Sequence, residues 1–310
     1  MKLSIIIPCY NEEESIEITN QCLQDLIADL RSQNLISEYE IIYVDDGSTD
    51  KSLPMLIGLS EQNKNLKILS FSHNFGHQAA LSAGLHFASG DAAVTLDADL
   101  QDPLSVVPEM IRKHQDGFEI VYGVRNKRDV DTFFKKLTAK AFYRFMRVMG
   151  INSIDNHADF RLLSRNVFQA FREYHEVNRF LRGLIPIMGY KSCIINYERA
   201  KRTAGRSKYT FRKMFLFAIE GITSLSTTPL RMTAIVGVII FATSLFLSIW
   251  ALIAKISGNS VPGWASTVLP IYFLGGIQLL FLGIIGEYIG KIYLETKKRP
   301  LYIIRQIFNL

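Results

Sequence analysis

The sequence predicts an α/β domain built on a parallel sheet, followed by two helices long enough to cross a membrane. Three observations carry that reading. Short, unbroken apolar runs of strand type alternate with longer stretches of helical periodicity through the first part of the chain. Each of these runs ends in a cluster of polar residues. Further on the charges vanish: Met232 to Ala254 contains none, and neither does Ile256 to Gly286.

"KLSIIIPCYNEEE" reads as a buried strand, a polar turn and an acidic helix start, continuing into the helix "EESIEITNQCLQDLIADLRSQ". "YEIIYVDDGSTDKS" is a second buried strand ending in aspartates, with Thr49 and Asp50 placed to cap the next helix. "LKILSFSHNFGHQAALSAGLHFASG" and "DAAVTLDADLQDPLSVVPEMIRKHQ" give two more strand–helix pairs, and "FEIVYGVR" a fifth strand. Such alternation means βαβ units with right-handed crossovers. In these sheets ligands bind beyond the carboxyl ends of the strands. The polar clusters Pro8–Glu13, Asp45–Asp50, Ser72–Gln78, Asp97–Asp102 and Gly123–Arg128 all fall there. A site along one sheet edge is therefore expected.

Lys and Arg number 35 against 29 Asp and Glu, a net charge of +6 that suits nucleic acid, an anionic ligand or a membrane surface without choosing among them. Neither GxGxxG nor GxxxxGK[ST] occurs at the strand ends, which disfavours dinucleotide and P-loop chemistry. Six scattered histidines lack zinc-ligand spacing, and Cys9, Cys22 and Cys193 read as reduced structural thiols. No signal peptide precedes the first strand, so the N-terminal part is expected in the cytoplasm.

Each uncharged stretch exceeds the ~20 residues a helix needs to cross a bilayer core. Basic residues crowd before the first and after the second, whereas the connecting "KISGNSVPGW" holds one Lys. Positive-inside bias then puts both termini in the cytoplasm of a multi-pass inner (plasma) membrane protein. Small residues in "GGIQLLFLGIIG" permit close helix contact, so a homo-oligomer stays open. "YTFRKMFLFAIEGITSLSTTP" has near-helical apolar spacing and reads as an interfacial helix or, alternatively, a plain globular one.

Asp97, Asp99 and Gln101 are hard oxygen donors spaced two apart, directly after a strand. On an extended backbone all three face one way and suit Mg²⁺ or Mn²⁺. Asp102, before Pro103, reads instead as a helix cap. For Asp45 and Asp46 the alternative is an Asx turn plus helix cap.

The ordered stretches "IIIPCYNEEESI", "EIIYVDDGSTDKS", "NFGHQAALSAGL" and "VTLDADLQDP" resemble the inverting glycosyltransferases of family 2. "YGVRNKRD", "DFRLLSR", "RTAGRSKYTFRKM" and "GITSLSTTPLR" are similar to the polyprenyl-phosphate branch, the dolichol-phosphate mannosyltransferase relatives that include bacterial bactoprenol (undecaprenyl-phosphate) glucosyltransferases. The resemblance implies a GT-A fold, Rossmann-like with a mixed sheet, over residues 1–207. It also implies an interfacial region at 208–230, two spans within 231–294 (about 232–254 and 267–289) and a basic tail at 295–310.

By the same resemblance, Pro8, Tyr10, Glu12, Asp45, Asp46 and Asp97 hold the donor nucleotide, and Asp97, Asp99 and Gln101 hold Mg²⁺ or Mn²⁺. The implied reaction passes one sugar from a nucleotide donor, UDP-glucose foremost, to a polyprenyl phosphate at the lipid bilayer, with no nucleic acid partner. GDP-mannose, UDP-GlcNAc or a UDP-aminosugar are the alternative donors. Arg125, Arg128, Arg202, Ser207 and Lys208 are the candidates for the lipid phosphate and diphosphate, although a basic cluster beside a membrane also attracts anionic lipid. Asp159 is the candidate base or orienter, with pairing to Arg161 as its competitor.

Three rivals lack support. A processive polysaccharide synthase should carry Q-x-x-R-W, which is absent. A lipid-carrier module without enzymatic activity needs more spans. A Rossmann oxidoreductase needs the glycine-rich turn.

Overall fold

The computed structural model describes residues 1–125, 149, 157–177, 179–198, 222–224, 226–257 and 264–309. Arg128, Arg202, Ser207, Lys208 and most of the expected interfacial stretch lie outside them. In chain order the described elements are β1 (Lys2–Cys9), α1 (Ile16–Ser32), β2 (Glu38–Asp45), α2 (Ser52–Gln62), β3 (Leu66–Phe71), α3 (His77–Phe87) and β4 (Ala92–Thr95). A 3₁₀ turn at Leu104–Val106 leads to α4 (Val107–Gln115), β5 (Ile120–Arg125), β6 (His157–Ser164), α5 (Arg165–Arg172), α6 (Leu181–Ile187) and β7 (Ser192–Tyr197). Two long helices, α7 (Thr228–Ile256) and α8 (Trp264–Thr296), precede β8 (Ile304–Phe308).

The strands form one sheet in the order β7-β5-β6-β4-β1-β2-β3-β8. The central strands are unbroken apolar runs because both of their faces are covered. Ile5 and Ile7 face the layer of α1, α2 and α4, where Leu23, Leu56 and Met110 are buried. Ile6 faces the opposite layer with Ala80 of α3 and Phe168 of α5. α3 lies close on β1, since a Cβ at Gly84 would come within 2.2 Å of Ile6 Cγ2.

The sheet is mixed. β1–β4 run parallel, but β6 enters antiparallel between β4 and β5, so β5 does not join β4 as a simple βαβ continuation. The segment expected as a C-terminal tail is the second departure. It is β8, paired antiparallel with β3. Side-chain anchors explain why it docks. The Tyr302 ring stacks on Phe71 at 5.1 Å between centroids, and Asn309 Nδ2 donates to the carbonyls of Ser60 (2.7 Å) and Leu66 (3.1 Å).

α7 and α8 are long and apolar enough to cross a membrane. Large side chains along them, Phe241, Phe246 and Leu279 among them, stand exposed, where the core helix of a soluble domain would bury such residues. α7 begins at Thr228, inside the stretch expected to be interfacial, and α8 runs to Thr296, beyond the span expected to end near 289.

Candidate active site

Strand direction assembles the site. β1–β5 and β7 share one direction, so their carboxyl ends line one edge, from Cys9, Asp45 and Thr95 to Arg125 and Tyr197. β6 runs the other way, which brings its amino end, with Asp159, to the same edge. A sequence reading that counts only carboxyl ends has no reason to place Asp159 there.

The loops after β1 and β2 are laced together. Asn11 Oδ1 accepts from the Thr49 amide at 2.8 Å, Ser48 Oγ from the Asn11 amide at 3.1 Å, and Ser52 Oγ from the Glu12 amide at 2.8 Å. Glu13 accepts from the Lys51 amide at the start of α2, and Asp50 accepts from the Ser52 amide at 2.9 Å. Asp50 thus assists the helix start as expected, while Thr49 is used on Asn11. Gly47 sits at φ +69° with His73 backbone carbon 2.5 Å from where a Cβ would be, so both space and conformation demand glycine.

The paired aspartates after β2 work inward. Asp45 accepts from the Ser48 amide (3.1 Å) and from Ser70 Oγ (3.0 Å), and Asp46 accepts from the amides of Phe75 (2.7 Å) and Gly76 (2.9 Å). Both are buried, and so is Pro8 within β1, beyond the last residue that β4 pairs. These residues frame the part of the edge at the ends of β1 and β2. Tyr10, 44% exposed, offers an open aromatic face there.

The Asp97–Asp102 segment corrects two expectations. β4 ends at Thr95, and the chain then turns, with the Leu100 amide reaching back to the Asp97 carbonyl and Leu100 at φ +51°. The backbone is not extended through Asp97, Asp99 and Gln101, so simple alternation does not align their side chains. Thr19 Oγ1 of α1 holds the turn through the Ala98 carbonyl at 2.8 Å. Asp102 makes no helix cap: the following 3₁₀ turn has none from a side chain. Asp102 instead accepts from Arg125 (2.9 Å to one terminal nitrogen) and from the Tyr197 hydroxyl. A buried carboxylate needs a cation more than a helix end needs a cap. Arg125, expected on a phosphate, is held by this carboxylate.

Asp159 is the hub of the other side. It is buried, bonded by the fully buried Arg161 and, at 3.0 Å, by Arg182 of α6, with His77 Nε2 at 3.5 Å. Burial alone would raise its carboxyl. The His77 bond and the charges of Arg161 and Arg182 outweigh that and hold it well below the usual carboxylate range. His77 also lies 3.7 Å from Asp97 Oδ1, and against partial desolvation the bond to Asp159 and the charges of the two acids raise its pKa. Asp97 itself is pushed up to about 6 by its recessed setting and by the charges of Asp102, Asp159 and Asp99, against the pull of His77. The expected pairing with Arg161 is real, and Arg182 and Gln78, whose Oε1 accepts from the Leu181 amide at 3.1 Å, were not legible. Only a reading that folded α6 back onto α3 could have found them.

A divalent ion fits this corner. Gln101 Oε1 and Asp102 Oδ2 are buried with no hydrogen-bond partner among the described residues, and the acids crowd against one another beside them. The donors are hard oxygens, suited to Mg²⁺ or Mn²⁺. Among the described residues no group of three His, Cys, Asp or Glu is placed to hold a metal ion by itself.

Comparison with known proteins identifies the family. Residues 4–172 match the glycosyl transferase family 2 model, and residues 228–292 match the GtrB C-terminal hairpin. An uncharacterized glycosyltransferase of Bacillus subtilis (strain 168), YkoT, is 46% identical over 97% of this chain and 90% of its own. A prophage bactoprenol glucosyl transferase homolog of Escherichia coli (strain K12) is 40% identical over 99% of each chain. The bactoprenol glucosyl transferase of Shigella phage SfII is 39% identical over 99% of this chain and 98% of its own. Matched by this family model over residues 4–172 and by these relatives over nearly its whole length, the chain belongs to glycosyltransferase family 2 and is a glycosyltransferase.

Proposed function

We propose that this glycosyltransferase moves one hexose, from UDP-glucose, onto undecaprenyl or another polyprenyl phosphate at a membrane surface, with inversion at the anomeric carbon. The observation that carries the reading is the joining of a carboxylate edge, with Arg182 and His77 against it, to two exposed apolar helices. The bactoprenol glucosyl transferase relatives, alike over nearly the full chain, support the acceptor and the sugar.

In this mechanism a phosphate oxygen of the acceptor attacks the anomeric carbon from the side opposite the diphosphate. One C–O bond forms as the other breaks, and the nucleoside diphosphate departs with the electron pair. The attacking oxygen is already anionic at neutral pH, so no strong base is needed. Asp159, held ionised by two arginines, serves to orient Arg182 and His77 rather than to take up a proton. Arg182, about a third exposed beside the edge, offers a guanidinium suited to phosphate oxygens. Asp97, Asp99 and Gln101 would hold a Mg²⁺ or Mn²⁺ ion, which when bound supplies positive charge for the leaving diphosphate. Tyr10 stacks on the base, over the frame made by Pro8, Glu12, Asp45 and Asp46. Catalysis then comes from positioning and charge stabilisation.

A donor screen tests the reading. Purified full-length protein, Mg²⁺ or Mn²⁺, undecaprenyl phosphate and separate radiolabelled nucleotide sugars are incubated and the lipid extracted. Label from UDP-glucose in the lipid phase is expected. Label from GDP-mannose or UDP-GlcNAc instead would replace the donor, and no lipid label from any donor would refute the acceptor.

A further inference from the structure

The membrane-length hairpin is bonded to the catalytic domain at a place the reaction does not obviously require. Glu295, in the last turn of α8, accepts the Val177 amide on both carboxylate oxygens, at 2.9 and 3.0 Å. Val177 lies between α5 and α6, in a loop that Arg179 braces by donating to the carbonyls of Tyr174 and Glu176 and by lying over the Phe171 ring at 5.0 Å. Phe180 follows, buried, and starts α6.

α6 enters the site at once. The Leu181 amide donates to Gln78 Oε1, the Leu181 carbonyl accepts from Arg161, and Arg182 binds Asp159. Gln78 is the neighbour of His77, which faces Asp97 and Asp159. Hydrogen bonds at Val177 and at Leu181 and Arg182, with the short backbone between them, therefore connect the end of α8 to the carboxylates of the edge.

The base of the hairpin can act as a body. Tyr288 of α8 donates to the Ser226 carbonyl at 2.6 Å and Lys291 Nζ to Ser224 Oγ at 2.8 Å, just before α7 begins. After Glu295 the chain is fixed again, where β8 joins the sheet and the Ile303 carbonyl accepts from the Ser72 amide. β8 already secures the hairpin to the domain, so the Glu295 bond is not needed for attachment. It fixes something else, the loop that presents α6.

We propose that Glu295 is a positioning residue for glycosyl transfer, setting Arg182 and Asp159 from the end of the membrane hairpin through the Val177 amide. The inference rests on the reading of transfer to a lipid acceptor, whose chain would lie in the membrane that the hairpin is long and apolar enough to cross. Its role is geometric: the carboxylate acts as a hydrogen-bond acceptor, and an amide can take its place.

The test uses full-length protein in detergent with undecaprenyl phosphate, comparing Glu295→Ala and Glu295→Gln. Hydrogen exchange is followed in the peptide 174–182 and, as a control, in β2. For Glu295→Ala, exchange in 174–182 should quicken about tenfold with β2 unchanged, and kcat should fall about tenfold or more with donor KM nearly constant. Glu295→Gln should recover most of both. Unchanged exchange, unchanged kcat, or equal loss of turnover in both variants would each overturn the proposal. If Glu295→Ala misfolds, seen as fast exchange in β2, the glutamine variant decides: turnover near wild type with slow exchange in 174–182 supports the positioning role, and lost turnover with slow exchange refutes it. Failure of the underlying reading looks different, since wild-type protein would then transfer no sugar before any substitution is made.

Discussion

The two ends of the central strands both bury acidic side chains and use them in opposite ways. At the amino end, Glu40 sits 2% exposed with its oxygens taken by Ser4 Oγ, by the Ser89 amide (2.7 Å) and hydroxyl (2.8 Å), and by Lys67 Nζ (2.9 Å). Burial alone would raise its pKa, but these donors outweigh it and lower it to about 2. At the carboxyl end, Asp97 is driven up to about 6 by its recessed setting and by the neighbouring Asp102, Asp159 and Asp99. At Glu40 the donors outweigh burial and the acid adds stability. At Asp97 the neighbouring acids outweigh the pull of His77, and under the proposed function a metal–diphosphate complex would relieve that charge.

Substitutions at the two ends should therefore separate activity from stability. The largest effect expected is at the crowded end. Asp99→Asn should lower kcat by about 10²–10³-fold, while the thermal midpoint holds or rises because like charges are fewer. Activity measured beside calorimetry checks it, and a drop in midpoint with activity retained would reverse the assignment of the two ends.

Next comes Glu40→Gln. A pKa moved from 4.5 to about 2 corresponds to about 3 kcal/mol at neutral pH, at ~1.4 kcal/mol per unit. Denaturant unfolding should show a loss of that order, with kcat per folded molecule unaltered.

The same shift sets a pH window. A carboxyl whose folded pKa lies below its unfolded one stabilises fully above the unfolded value, and that contribution is lost as pH falls through the folded value. Wild-type stability should decline between roughly pH 4.5 and 2, and Glu40→Gln should flatten this limb. A limb of the same slope in both proteins would mean that Glu40 is not the group responsible.

The smallest effect belongs to the far edge of the sheet. Tyr302→Ala removes the stacking on Phe71 and should cost about 1–2 kcal/mol. Limited proteolysis near β8 reports it, and kcat in the surviving folded protein should change little.

The first four strands were legible because unbroken apolar runs such as "SIIIP" and "EIIYV" have few other places to go than a doubly covered sheet. β6 was not, since "HADFRLLS" carries a charge pattern that reads as surface, although Arg161 lies fully buried against Asp159. β8 was hidden for a related reason: its basic, mixed sequence reads as a tail, and only long-range anchors at Phe71, Ser60 and Leu66 hold it. Asp97 and Asp99 stood out by residue type alone. The fate of Asp102 did not, because its partners Arg125 and Tyr197 are distant in sequence. Local chemistry could be read from the chain; pairing across the sheet could not.

In-line transfer at the crowded end of the sheet leaves its mark on the product: the anomeric configuration of the lipid made from α-linked UDP-glucose and undecaprenyl phosphate, read from its proton coupling by NMR. A β-linked product, formed by wild type and lost in Asp99→Asn, is predicted. A retained α linkage, or a product that forms equally well without Asp99, would contradict it.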